Sequence, residues 1–347
     1  MRIFGPTKSA ARLESSKIFA KELMRAQNVP TAQASTFSDS KGALAYCEEL
    51  KFPVVIKADG LALGKGVIIA PDAATARSTI NALMNEARFG EAGRRIVIEE
   101  FLHGTECSLH ALVDGKNYRL LESARDHKRV FDGDEGPNTG GMGAFSPADN
   151  WNADLQSRLE ARVMQPVLRG LTREKITYRG LLYPGLMITS DGPRVLEFNC
   201  RFGDPEAQVL MMQIDDDLVG LLRDCAEGAL KQRAIQVRPG ASVGVVLAAE
   251  GYPQTPKVGD GIHGLAEAEE LGQIFQAATR LDAGRLVTSG GRVLTVCGRG
   301  DTIADARARA YAAVARIEFR GMHYRRDIGV RALAAPKASE RAIENGA

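Results

Sequence analysis

The chain is predicted to be an α+β protein of several domains, and three observations carry that expectation. Strand, loop, strand, helix and strand follow one another closely within residues 31–105, as in a small mixed unit. The texture changes after Arg238-Pro239-Gly240 to short strands and turns with one late helix, which marks a separate module. At 347 residues the chain is long for one hydrophobic core, and a length prior suggests about two to three domains.

Each element follows from local pattern. After Pro6 the first twenty-odd residues read as helical, with Phe19, Leu23 and Ala26 on one stripe and Lys17 and Lys21 sharing a different face. Asn28-Val29-Pro30 breaks that helix. Val54-Val55-Ile56-Lys57 and Gly66 to Ala70 read as strands joined by the glycine-rich connection Ala58 to Lys65. An alanine-rich helix over about 73–87 leads to the strand Arg95 to Glu100. Strands Gly185 to Thr189 and Arg194 to Asn199 flank the turn signal Ser190-Asp191-Gly192, and a helix is expected over about 206–231. Strands over Ser242–Ala249 and Arg292–Val296 precede a helix over Ala304–Ile317. The expected divisions are 1–30, 31–105, 106–236, 237–330 and a frayed tail, 331–347.

Composition excludes some function classes. Hydrophobic residues make up 44% and charged residues 25%, which suits an ordinary soluble protein. The 45 basic and 43 acidic residues leave a formal charge of +2, spread along the chain, so no basic stripe points to nucleic acid. No run approaches the ~18 apolar residues of a membrane span, and the start lacks a signal-length apolar stretch. Cys47, Cys107, Cys200, Cys225 and Cys297 are widely spaced, without a CxxC pair, which fits reduced thiols and a cytoplasmic location.

Several segments carry chemistry. The connection with Gly60, Gly64, Lys65 and Gly66 is neither a Walker loop nor a dinucleotide fingerprint: a strand follows it, and Ile69 stands where a third glycine is needed. A mobile surface hairpin and an anion-holding hairpin beside Lys57 both fit it. In Val195-Leu196-Glu197-Phe198-Asn199, alternation places Val195, Glu197 and Asn199 on one face. Two side-chain oxygens side by side suit a hard divalent cation that keeps substrate phosphates as its other ligands; a polar solvent face is the other reading. Arg201 lies just beyond, where a guanidinium offsets charge in phosphoryl transfer. Ile98 to Glu106 is an apolar strand running into acidic residues, which suits either an adenosine pocket or a charged turn. Asp126-His127-Lys128-Arg129 suits phosphate binding or a solvated loop. GxSxG and HExxH patterns are absent.

In this order, the segments resemble the ATP-grasp superfamily and, more narrowly, the phosphoribosylamine–glycine ligase family. The match rests on Val55-Ile56-Lys57-Ala58-Asp59-Gly60, Ile98-Glu99-Glu100-Phe101-Leu102, Asp126-His127-Lys128-Arg129, Pro137 through Gly143, Leu196-Glu197-Phe198-Asn199-Cys200-Arg201-Phe202-Gly203-Asp204-Pro205-Glu206 and Gly290-Gly291-Arg292. The resemblance implies an ATP-grasp fold, two β-rich subdomains sandwiching ATP, followed by a small C-terminal β-rich domain. It implies ATP contacts from Lys17, Lys57, Gly64, Lys65, Gly66, Glu99, Glu100, Phe101, Leu102 and Glu106. Glu197 and Asn199 would hold Mg2+ or Mn2+, and Arg201 and Lys57 would act in catalysis. Asp126, His127, Lys128, Pro137, Asn138, Thr139, Gly140, Gly141, Met142, Gly143, Arg201, Asp204, Gly290, Gly291 and Arg292 would line the substrate side, for glycine and phosphoribosylamine. The implied activity is ligation through a glycyl phosphate in purine biosynthesis.

The family usually begins with a further domain of ~80–90 residues, and this chain starts at the segment after it. A trimmed start, a partner supplying that domain in trans, and a paralogue with another acceptor remain open. A nucleotide-binding form inactive without that domain is the corresponding non-enzymatic reading.

Overall fold

The structure is a computed structural model and describes residues 2–62, 66–149 and 151–334. The chain forms two compact units, each assembled from non-contiguous stretches: 1–121, 152–203 and 216–235 in the first, and 122–151, 204–215 and 236–347 in the second. The sequence divisions are consecutive stretches and do not follow this interleaving. It arises because residues 122–151 and 204–215 pair with and pack on strands far along the chain.

The first unit opens with two short helices, α1 (Arg12–Ser15) and α2 (Lys17–Ala26), rather than one. Ser16 is extended, which ends α1, and its hydroxyl accepts the Phe19 N–H at 3.2 Å, which caps α2. The buried residues of α2 are Phe19, Ala20, Lys21, Leu23 and Met24, while Ala26 is exposed, so the stripe is broader than the expected spacing and takes in a lysine. Strands β1 (Ala34–Phe37), β2 (Val54–Ala58), β3 (Val67–Ala70) and β4 (Ile96–Glu100) form an antiparallel sheet in the order β1-β4-β2-β3. Helices Ser40–Glu48 and Ala73–Ile80 bury Ala43, Cys47, Ala76 and Ile80 against Val54, Ile56, Ile96 and Ile98.

A second sheet in this unit is organised by the long strand Arg179–Thr189. On one edge it pairs with Gly192–Asn199, and on the other with Ala111–Asp114 and Thr105–Ser108. Residues 153–173 are helical with one wider turn and bury Leu155, Leu159, Val163, Val167 and Leu171, a helical stretch that the sequence reading did not place. The helix expected over 206–231 is two helices, Glu206–Met211 and Leu218–Glu227. Between them Ile214 bridges Val237, and Asp217 caps the second helix through Gly220 N–H at 3.0 Å.

In the second unit, Ala241–Ala248 and Arg292–Gly300 are the central strands of a five-stranded antiparallel sheet. Ile303–Val314 packs on it after a reciprocal Thr302/Asp305 cap, burying Ala306, Ala310, Ala313 and Val314 among Val243, Val245, Leu294 and Val296. Val330–Ala334 is helical; the rest of the expected tail, 335–347, lies outside the described residues. All five cysteines are free and buried. Among the described residues no helix is long and apolar enough to cross a membrane.

Candidate active site

A cavity of about 540 Å³ in the first unit gathers residues from four places in the chain. Helices α1 and α2 supply Glu14, Lys17 and Lys21; β2 and its connection supply Lys57, Gly60, Leu61, Ala62 and Gly66; β4 supplies Glu99. The strand Gly192–Asn199 and the residues after it supply Leu196, Glu197, Phe198, Asn199 and Arg201. Gly64 and Lys65, expected at the phosphates, lie outside the described residues.

The expected face of Val195, Glu197 and Asn199 is interrupted. Gly185 pairs with Glu197 but Leu186 pairs with Val195, so Leu196 is the extra residue of a β-bulge. Val195 is fully buried, whereas Glu197 and Asn199 remain in step with each other on the cavity wall. The bulge also frees the Leu196 carbonyl, which accepts from Lys57 Nζ at 2.9 Å. No group of three or more acidic, histidine or cysteine side chains is placed to hold a metal among the described residues. One carboxylate and one amide fit magnesium, which retains water and phosphate ligands, better than a cation that needs an all-protein cage.

Arg201 is exposed. Its Nε donates to Glu14 Oε1 at 3.2 Å and its Nη2 to Asn199 Oδ1 at 3.3 Å, while Glu14 Oε2 accepts the Cys200 N–H at 2.8 Å. Glu14 thus fixes the turn that follows Asn199. Asp59 does the same for the glycine-rich connection: its Oδ1 accepts from Ser16 Oγ at 2.9 Å and Ile18 N–H at 3.1 Å, and its other oxygen pairs with Arg95 at 2.6 Å. Gly60 and Gly66 are required by close approach, since an added Cβ would lie 2.5 Å from Ala92 Cβ and 2.6 Å from Ala62 Cβ respectively.

Behind the wall, Glu99 is buried between two buried lysines. Lys21 Nζ is 3.2 Å from one of its oxygens and Lys57 Nζ 3.0 Å from the other. Burial lowers the Lys21 ammonium to about 8, with Glu99 opposing the shift. Glu100 is turned away: its carboxylate accepts from Gln33 N–H at 2.9 Å and pairs with Arg194 at 3.1 Å. Phe101, Leu102 and Glu106 are half-buried and do not line the cavity. His110 is fully buried, stacks on Tyr183 at 4.2 Å between centroids, and takes the Gly203 N–H on Nε2 at 3.4 Å. Burial, then Arg201, lowers it to about 3, so it stays neutral.

The second unit gathers the other expected residues into one loop cluster. Arg292 Nη1 donates to the Gly140 carbonyl at 2.8 Å and to the Asp204 carbonyl at 2.7 Å, and Nη2 to the Asp204 carboxylate at 3.1 Å. The Thr139 hydroxyl donates to the Lys128 carbonyl at 2.8 Å, the Met142 N–H to the His127 carbonyl at 2.7 Å, and the His127 N–H to the Gly143 carbonyl at 2.9 Å. Gly141 has φ +118° and abuts Pro205, so it admits no side chain. Gly291 lies against the Tyr252 ring, whose hydroxyl accepts the Gly140 N–H at 3.0 Å; Gly290 faces Ala278. Pro137 and Asn138 are exposed, Asp126 and Lys128 half-buried. His127 is buried without a partner for Nδ1, and burial, then Arg325, lowers it to about 4.

Sequence reasoning missed Glu14, Lys21 and Asp59. None of the three carries a local signal, because the partners that fix them lie elsewhere in the chain.

Comparison with known proteins identifies the family. Residues 15–207 match the phosphoribosylglycinamide synthetase ATP-grasp (A) domain, and residues 242–331 match the C domain of the same family. The phosphoribosylamine–glycine ligase of Vibrio cholerae is 48% identical over 338 residues, which span 97% of this chain and 79% of the relative. That of Pasteurella multocida is 46% identical, with the same coverage. The crystal structure of phosphoribosylamine–glycine ligase from Thermotoga maritima superposes with a TM-score of 0.86 at 39% identity, covering 94% of this chain and 81% of that one. A biotin carboxylase domain from Hydrogenobacter thermophilus, solved with MgADP, shares the fold at a TM-score of 0.69 and 18% identity. The chain belongs to the phosphoribosylglycinamide synthetase family.

Proposed function

We propose that the chain is an ATP-dependent ligase that joins glycine to 5-phosphoribosylamine in purine biosynthesis, releasing ADP and phosphate. The observation that carries this is the cavity lined together by Glu197, Asn199, Arg201, Lys17 and Lys57, within a chain of this family.

In this reading Lys17 and Lys57 bind the nucleotide's phosphates inside the cavity, and the adenine and ribose extend beyond it, the adenine toward backbone groups of Glu99 to Leu102 and the ribose toward Glu106. Glu197 and Asn199 hold Mg2+ (or Mn2+), which supplies charge neutralisation for the phosphates when bound. A glycine carboxylate oxygen attacks the γ-phosphorus, the bond to the bridging oxygen breaks, and ADP leaves. Arg201 offsets the charge that builds on the transferring group. The amine nitrogen of phosphoribosylamine then attacks the acyl carbon, phosphate departs with the bonding pair, and the nitrogen loses a proton. The segments Asp126–Lys128, Pro137–Gly143, Asp204 and Gly290–Arg292 bind the substrates, with Arg292 setting the loop conformation.

The test is to incubate the purified chain with MgATP, radiolabelled glycine and phosphoribosylamine. Label appearing in glycinamide ribonucleotide with matching ADP supports the reading. ADP formed at the same rate without glycine, or only with another carboxylate, would overturn it in favour of a ligase with a different substrate.

A further inference from the structure

The buried cluster behind the nucleotide cavity carries more positive charge than it needs. Lys21, Lys57 and Glu99 are each 5% exposed or less, and they bring two ammonium groups to one carboxylate. Leaving a charge uncompensated in a low-dielectric interior is costly, so such an excess is kept where something outside the fold balances it. All three side chains line the cavity.

The two lysines divide the work. Lys57, on β2, also donates to the carbonyl freed by the bulge at Leu196. Lys21, on α2, donates to Thr31 Oγ1 at 2.8 Å and to the Ala32 carbonyl at 3.2 Å. The Thr31 hydroxyl in turn donates to the Val195 carbonyl at 2.6 Å. Lys21 therefore ties α2 and β4 to the strand that carries Glu197 and Asn199. It also occupies the Glu99 oxygen that Lys57 does not contact. Without it, the whole carboxylate charge would fall on Lys57, and the cluster would be neutral.

We propose that Lys21 is a positioning residue for the nucleotide phosphates: by taking one oxygen of Glu99 it keeps Lys57 only half-compensated and leaves the cavity wall with one positive charge for the phosphates to balance. This rests on reading the cavity as the nucleotide site. The charged groups around Lys21 are Glu99 and Glu100 on β4 and Lys57 on β2, with Lys17, Glu14, Glu197 and Arg201 on the remaining cavity walls. Its ammonium, lowered to about 8 by burial, loses its proton as pH rises through that value, and phosphate binding favours the protonated form. Nucleotide binding is thus linked to proton uptake in mildly alkaline solution.

The experiment is calorimetric titration of the whole chain with MgADP from neutral pH to above the Lys21 value, in two buffers of different ionisation enthalpy. The wild type is expected to take up protons on binding near pH 8 and to bind more weakly as pH rises through it. K21M should bind on the order of tenfold more weakly at neutral pH, the loss of one unit charge near phosphate, and show no uptake near pH 8. K21R should recover affinity with no pH dependence there. A merely structural role would lower thermal stability without removing the proton uptake. Wild-type binding with no uptake, or K21M binding as tightly as wild type, overturns the proposal; the first is decided even if K21M fails to fold. A wild-type chain that does not bind MgADP overturns the nucleotide reading itself.

Discussion

Two buried cation clusters, one in each unit, use the same charges to opposite ends. In the second unit Arg325 is 1% exposed and every face of its guanidinium is answered. Nε and Nη2 donate to Asp327 at 2.7 and 2.6 Å, and Nη1 donates to Asp134 at 2.8 Å and to the Arg129 carbonyl at 3.1 Å. Two partly exposed carboxylates meet this one buried cation, exposed Arg331 adds a second partner to Asp134 at 2.9 Å, and the loop from Arg129 to Asp134 is pinned to the segment that carries Arg325 and Asp327. In the first unit two cations meet one carboxylate and the remainder faces a cavity. A fully answered buried charge is scaffold. An under-answered one at a cavity wall marks where a ligand of opposite charge goes.

The contrast can be broken in order of expected effect. The Glu197→Ala/Asn199→Ala double variant is the most severe: it should abolish magnesium-dependent ADP formation, by about a hundredfold or more, while thermal unfolding stays near wild type. Unchanged ADP release would detach the cavity from the metal. Arg325→Met, which takes the buried partner from partly exposed Asp134 and Asp327 while Arg331 still pairs with Asp134, should lower stability by about 1–3 kcal/mol, read by urea unfolding, with MgADP affinity unchanged. Retained stability would mean that the cluster is not scaffold.

Acid should separate the two clusters further. Asp134 is held below the ordinary carboxylate range, chiefly by its bond to Arg325 working against burial, and Asp327 likewise. A carboxyl whose folded value lies below its unfolded value stabilises the fold above the unfolded value, about 4, and that contribution is lost as pH falls toward the folded value. Wild-type stability should therefore decline below about pH 4, and Arg325→Met should show a shallower decline. Equal slopes would contradict the assignment. The smallest effect belongs to an exposed pair, Lys257 and Glu250 at 2.5 Å: Lys257→Ala should leave the urea-unfolding midpoint unchanged, because water screens both partners.

Much of the site was legible because its chemistry lies in short runs. Glu197, Asn199 and Arg201 sit within five residues of one another, and alternation along a strand brings the first two together. The bulge at Leu196 was not legible, since strict alternation carries no mark of a skipped residue, and it moved Val195 off the shared face. Glu14 was invisible because its partners, Cys200 and Arg201, are 186 and 187 residues away. Lys21 reads as a surface lysine on an amphipathic helix; only the carboxylate on β4 and the hydroxyl of Thr31 explain its burial. The break between Met211 and Leu218 escaped because the flanking apolar pattern suits one long helix, whereas Ile214 leaves it to pair with Val237.

The most direct test of the account is the fate of the glycine carboxylate oxygen. If Glu197, Asn199, Arg201 and Lys57 serve attack of that oxygen on the γ-phosphorus, glycine labelled with heavy oxygen in its carboxylate should transfer one labelled atom to each phosphate released during synthesis, read by mass spectrometry of the phosphate. Phosphate that carries oxygen from solvent water instead, with unlabelled glycine giving the same spectrum, would contradict an acyl phosphate and with it the chemistry assigned to this cavity.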